Sequence, residues 1–99
     1  MEASNRLQEL GVSVGRIVAV SEHPGARAPA FLVTLDLGPQ GRHECSVPHG
    51  TYEAGDLEGT QVVCARDGDD VVVLAARSHA GGLVLLRPDR EVENGTIVA

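Results

Sequence analysis

A small all-β domain, barrel or sandwich, is predicted by three features of this 99-residue sequence. Short runs rich in Val, Ile and Leu recur along the chain, enough for about five to seven strands. Gly, Pro, Asp and Asn punctuate them at intervals of about 8–12 residues, the spacing of turns in small β folds. Several runs alternate apolar with polar residues, the period of a half-buried strand. No repeat, low-complexity tract or linker divides residues 1–99, so one domain is expected. One Phe, one Tyr and no Trp mean that the core must be aliphatic.

The elements follow in order. Ser4 is a good N-cap, Leu7 and Leu10 are spaced i,i+3 and Gly11 can take a left-handed stop, which predicts a short helix over 5–10. So short a helix needs something to dock on. Residues 12–20 read as a strand with Val12, Val14, Val18 and Val20 on one face and Ser13, Gly15, Ile17 and Ala19 on the other. Gly15 within it predicts a bulge or bend. Pro24, Gly25 and Pro29 mark 21–30 as a loop. Phe31, Val33, Leu35 and Leu37 alternate with Leu32, Thr34 and Asp36 in a second strand, and Gly38-Pro39-Gln40-Gly41 is a turn. Residues 42–47 make a third strand, 48–59 an irregular connection, and Val62 to Arg66 a fourth strand. Asp67-Gly68-Asp69-Asp70 reads as a tight hairpin turn. Val71 to Ala76 is a continuous apolar run and is predicted to be one buried strand. Ser78 to Gly82 turns, Leu83 to Leu86 is a further strand, and Pro88 ends it. Asn94-Gly95 turns the chain into a last segment, Thr96 to Val98.

The formal charge of −6 disfavours tight, non-specific nucleic-acid binding, because an acidic surface repels phosphate at long range. All eight cations are Arg. Arg27, Arg42, Arg66 and Arg77 could still line one face and grip phosphates through the two parallel bonds of the guanidinium fork, against the plainer reading of solvated surface arginines paired with Asp and Glu. Tyr52 is a candidate stacking aromatic or a cap on the barrel; Phe31 alternates with core positions. His43, Cys45 and His49, with His79 or Cys64, are soft-metal ligand types, but their spacing matches no standard set. Cys45 and Cys64 form no disulfide framework. No catalytic signature or cofactor fingerprint is present, no apolar stretch is long enough for a membrane span, and the N-terminus lacks signal-peptide character; a non-enzymatic, cytoplasmic protein is expected.

One ordered set of residues is more specific. Val14-Gly15-Arg16-Ile17, His23-Pro24, Ala26-Arg27, Pro29 and Asp36-Leu37-Gly38 are followed by Asp56-Leu57-x-Gly59 and Val62-Val63, then by Arg87-Pro88-Asp89-Arg90 with Asn94-Gly95. In this order the chain resembles the CsaA branch of the tRNA-binding-domain family over roughly residues 9–65 and 83–98. The resemblance implies an OB-fold barrel, a homodimer built by a helical extension over 1–11 and a C-terminal extension over 83–99, tRNA binding, and a secretion-related chaperone activity on client proteins. It makes Arg27, Arg42, His43, Ser46, Tyr52 and Arg77 the candidate RNA- or partner-binding residues. Two stretches depart from the family pattern. Between Ala65 and Val71 a longer basic segment is reduced to Arg66-Asp67-Gly68-Asp69-Asp70, which removes part of the implied nucleic-acid surface. In the third strand only Ser46 fits the family pattern. The alternative is therefore a protein-binding, chaperone-like module without RNA binding.

Overall fold

A computed structural model describes residues 9–80 and 82–99. Seven strands run β1 (Val12–Glu22), β2 (Ala30–Asp36), β3 (Arg42–Pro48), β4 (Gln61–Asp67), β5 (Asp70–Val73), β6 (Ala75–Ser78) and β7 (Gly82–Leu85), with one helical turn, α1 (Ala54–Leu57), between β3 and β4. The first five form one antiparallel sheet in the order β3-β2-β1-β4-β5. The sheet curls until its edges β3 and β5 approach each other, giving a nearly closed, OB-like barrel. Strands β6 and β7 form a separate hairpin. The predicted helix over 5–10 lies almost wholly outside the described residues; Gly11 does take the expected positive φ, 65°.

Strand β1 holds the two halves of the sheet together. Its first half, Val12–Arg16, pairs with β4, and its second, Arg16–Glu22, pairs with β2. The register slips between Ile17 and Ala19, so the bulge falls there and not at Gly15 as the sequence predicts. A bulge inserts one residue and reverses the side-chain phase. Ile17 and Val20 therefore both face the core, which the strict alternation had placed on opposite faces. Gly15 serves close packing instead: a Cβ there would stand 2.6 Å from Leu37 Cδ2.

The core is aliphatic apart from Phe31. Ile17, Val33, Leu35, Leu37, Val47, Leu57, Val62 and Cys64 are almost completely buried. Leu57 lies on α1, which the sequence reading had left irregular; the backbone N–H of Glu53 donates to Asp56 Oδ2 (2.9 Å) at the helix start. The hairpin at Asp67–Asp70 forms as predicted, with Gly68 at φ 64°. The run Val71 to Ala76 is not one buried strand. It breaks at Leu74, whose N–H donates to Val63 O while its carbonyl accepts from Leu86 N, and only Val71 of the run is buried. The chain leaves the barrel there and enters β6, all four residues of which are exposed.

Thr96 to Val98 is not a full strand. It lies along the edge of β1 that β2 leaves free, with Val14 N donating to Thr96 O and Val98 N to Val12 O (both 2.9 Å) and one bridge between Ser13 and Ile97. This docking requires backbone contact that side chains would block. A Cβ on Gly38, itself at φ 63°, would overlap the Asn94 carbonyl, and one on Gly95 would overlap that of Leu37.

Candidate binding surfaces

The six candidate residues fall in several places. Arg42 and Ser46 point outward from β3, both exposed, with the exposed Glu44 between them. Arg42 stands opposite Asp36, whose Oδ1 accepts from Gly38 N (2.8 Å). Ser46 Oγ lies 3.1 Å from His23 Nδ1, tying β3 to the β1–β2 loop; that loop carries the exposed Arg27. His43 alternates onto the opposite face from Arg42 and Ser46, and its Nε2 bonds Gln40 O at 3.2 Å. Tyr52 is half-buried against the core, and its hydroxyl accepts from Leu85 N (3.1 Å). It pins β7 to the barrel, and its ring is covered by the Arg87 guanidinium, 5.9 Å from its centroid. Arg77 is exposed on the separate hairpin.

Among the described residues, no three His, Cys, Asp or Glu side chains gather in a way that could hold a metal ion. His49 Nε2 pairs with Glu22 Oε1 (3.0 Å) and its ring stacks on Phe31, centroids 4.0 Å apart. Burial, and then the neighbouring Cys64, push the Cys45 thiol up to about 11. Burial also raises Cys64, against a bond to Ser13 and the charge of Arg66. Both thiols stay protonated near neutrality, the form that neither attacks nor ligates well.

Two features were not found by sequence reasoning. The first is an apolar outer face. Val63 and Ala65 on β4, Val72 on β5, Leu74, and Val84 and Leu86 at β7 alternate away from the core positions Val62, Cys64, Val71 and Leu85. Val72, Val84 and Leu86 are each about two-fifths exposed. The sequence signal was the uninterrupted valine run, which predicts burial on both faces; one of those faces is open. The second is a cleft of about 280 Å³ lined by Arg16, Arg87, Pro88, Arg90 and Glu91, with residues 59–61 as its floor. Arg87-Pro88-Asp89-Arg90 stood out as an island, but nothing local indicated that Arg16 lies beside it.

Barrel, hairpin and wrapped C-terminal segment together define an OB-like β module with two dissimilar outward faces. No family model matches the sequence. The fold is similar to the crystal structure of the CsaA chaperone protein from Picrophilus torridus, with a TM-score of 0.84, 25% identity and 96% of each chain covered. It is similar also to that of the chaperone CsaA from Bacillus anthracis str. Ames, with a TM-score of 0.80, 29% identity and 96% of each chain covered. In fold the chain is similar to CsaA chaperone proteins, in agreement with the resemblance of its sequence islands. No helix among the described residues is long and apolar enough to cross a membrane.

Proposed function

We propose that this chain is a non-catalytic, protein-binding module of the CsaA type that works as a homodimer. The observation that carries the reading is the outward apolar face of β4, β5 and β7. Contiguous apolar surface rimmed by polar residues marks contact with another protein. The β6–β7 hairpin adds a second argument: a two-stranded ribbon is marginal by itself, so contact with another chain would stabilise it. A second copy of the chain covers part of this surface, and an unfolded client segment takes the rest.

The test is mass and client protection measured together. Sedimentation at micromolar concentration should give twice the 10.3 kDa chain mass, and excess protein should slow aggregation of a denatured client. A monomeric mass overturns the dimer; unchanged aggregation overturns the client reading.

An RNA-binding reading rests on one observation. Arg42 and Ser46, with Arg27 in the first loop, occupy the strand and loop that OB folds use for oligonucleotides. Asp36 and Glu44 share that face, and the one Phe points inward, so the stacking platform of single-strand binders is missing there. The protein-binding reading is the better supported. A tRNA titration that binds tightly with a steep negative salt slope would reverse that order.

A further inference from the structure

We propose that the cleft between Arg16, Arg87 and Arg90 is a binding site for a dianionic phosphate group, either free phosphate or a phosphate monoester. The inference does not depend on the protein-binding reading. The chain carries a net charge of −6, yet three of its eight arginines line this one cleft. One carboxylate, Glu91, shares the lining, which leaves a formal excess of two positive charges. Asp89 stands 3.6 Å from Arg90 Nε, and because both side chains are largely exposed solvent screens both charges, so Arg16 and Arg87 are the principal anchors. The Asp56 carboxylate is turned to the Glu53 N–H. No histidine lines the cleft.

The guanidinium donors are largely unspent. Arg16 Nη1 donates to Gly59 O (2.9 Å) and Nη2 to Glu91 Oε2 (2.6 Å), which holds the group with its remaining N–H bonds available. Arg87 makes one long bond, to Asp56 O at 3.4 Å, and is braced over the Tyr52 ring. Each guanidinium has five N–H donors, arranged to meet two oxygens of one anion at once. The frame around them is rigid. Gly59 N donates to Ile17 O (2.7 Å), Ile17 N to Thr60 O (2.9 Å), and Gln61 is fixed by Val92 and Asn94. Pro88 fixes the backbone between Arg87 and Arg90. An anion that enters meets donors already in place and competes with Glu91 for Arg16.

The formal excess of two along the lining, with the paired forks of Arg16 and Arg87, favours a dianion. A phosphate monoester carries about −1.5 to −2 at pH 7, matching the cleft, whereas a backbone phosphodiester carries one charge. The experiment is a calorimetric titration of the full chain with potassium phosphate at constant ionic strength, with sodium sulfate, acetate and dimethyl phosphate as comparisons. Saturable binding of phosphate and sulfate, with acetate and dimethyl phosphate at least about tenfold weaker, is expected. Arg16→Gln and Arg87→Gln should each weaken phosphate binding about tenfold, and Glu91→Gln should tighten it severalfold by releasing Arg16. That gain cannot come from misfolding. Lowering the pH from 7.5 to 5.5 should weaken phosphate, whose second ionisation lies near 6, and leave sulfate unchanged. O-phosphoserine distinguishes the sources: tighter binding than phosphate assigns a monoester carried on an organic group, and equal binding assigns the free ion. No saturation by either dianion, equal binding of acetate, or insensitivity to all three substitutions overturns the proposal.

Discussion

Outward positions on β2 and β3 are Leu32, Thr34 and Asp36, facing Ser46, Glu44 and Arg42, whereas those on β4, β5 and β7 include Val63, Ala65, Val72 and Val84, with Leu86 just past β7. The inward positions of both halves are alike: Phe31, Val33, Leu35 and Val47 on one side, Val62, Cys64, Val71 and Leu85 on the other. One core therefore supports two unlike surfaces. The polar half carries mixed charge that water solvates adequately. The apolar half keeps valines and leucines exposed, for which burial against a partner offers about 25 cal/mol per Å² of area removed from water. On the proposed reading, protein contact falls to β4, β5 and β7, and β2–β3 is a solvated wall. Between the halves runs the C-terminal segment, laid against the first half of β1.

Removing that divider should have the largest effect. Gly38→Ala puts a Cβ onto the Asn94 carbonyl at a residue with positive φ, and the chain either strains or releases residues 94–98. A loss of about 3 kcal/mol of unfolding free energy in urea is expected. A loss under about 0.5 kcal/mol would mean that the segment is held elsewhere. Next comes the contrast itself. Leu86→Asp on the apolar half should weaken self-association by about two orders of magnitude while leaving the circular dichroism spectrum unchanged. Thr34→Asp on the polar half should leave the sedimenting mass as it was. If Thr34→Asp dissociates the protein and Leu86→Asp does not, the faces have been assigned the wrong way round.

A smaller effect concerns the interior wall that both halves share. The raised Cys45 thiol means that the folded state holds its proton more tightly than the unfolded one. Stability is then fully present below the ordinary value of 9.0 and is lost as pH rises toward about 11. Cys64, raised for the same main reason, acts in the same direction. Urea midpoints from pH 8 to 11 should fall, and Cys45→Ala should flatten the decline; a flat profile in the parent protein would contradict the burial of both thiols. The smallest expected effect is on the polar face. Arg42→Ala should change tRNA affinity at low salt by less than about threefold and leave the salt slope unaltered, where loss of a real phosphate contact would reduce that slope by about one.

Much of the barrel was legible. The alternation of Phe31, Val33, Leu35 and Leu37 placed β2 and its core face correctly, and Asp67 to Asp70 announced its own turn. Both signals are local, because side-chain period and turn chemistry act over a few residues. The bulge in β1 was not legible at its true position. Gly15 is the residue that looks like an interruption, but the slip falls between Ile17 and Ala19, just past Arg16, where β1 passes from β4 to β2. The break at Leu74 was equally silent, because no Gly or Pro marks it and the carbonyl and amide that hold it belong to Val63 and Leu86. Among the candidate residues, Tyr52 was recognisable as exceptional, yet its part in fastening β7 depends on a backbone N–H contributed by Leu85.

By itself the amino-acid sequence determined an all-β chain with an aliphatic core, the positions of most of its strands, an acidic balance made with arginine alone, and the islands that resemble CsaA. These follow from composition and short-range pattern. Only the tertiary structure decided which face of the valine-rich strands is left open, where β1 changes partner, and that Arg16 meets Arg87 and Arg90 across one cleft. Those outcomes depend on pairing register and on contacts between residues far apart in the chain. No local propensity encodes them, because their free energy exists only once the sheet has closed.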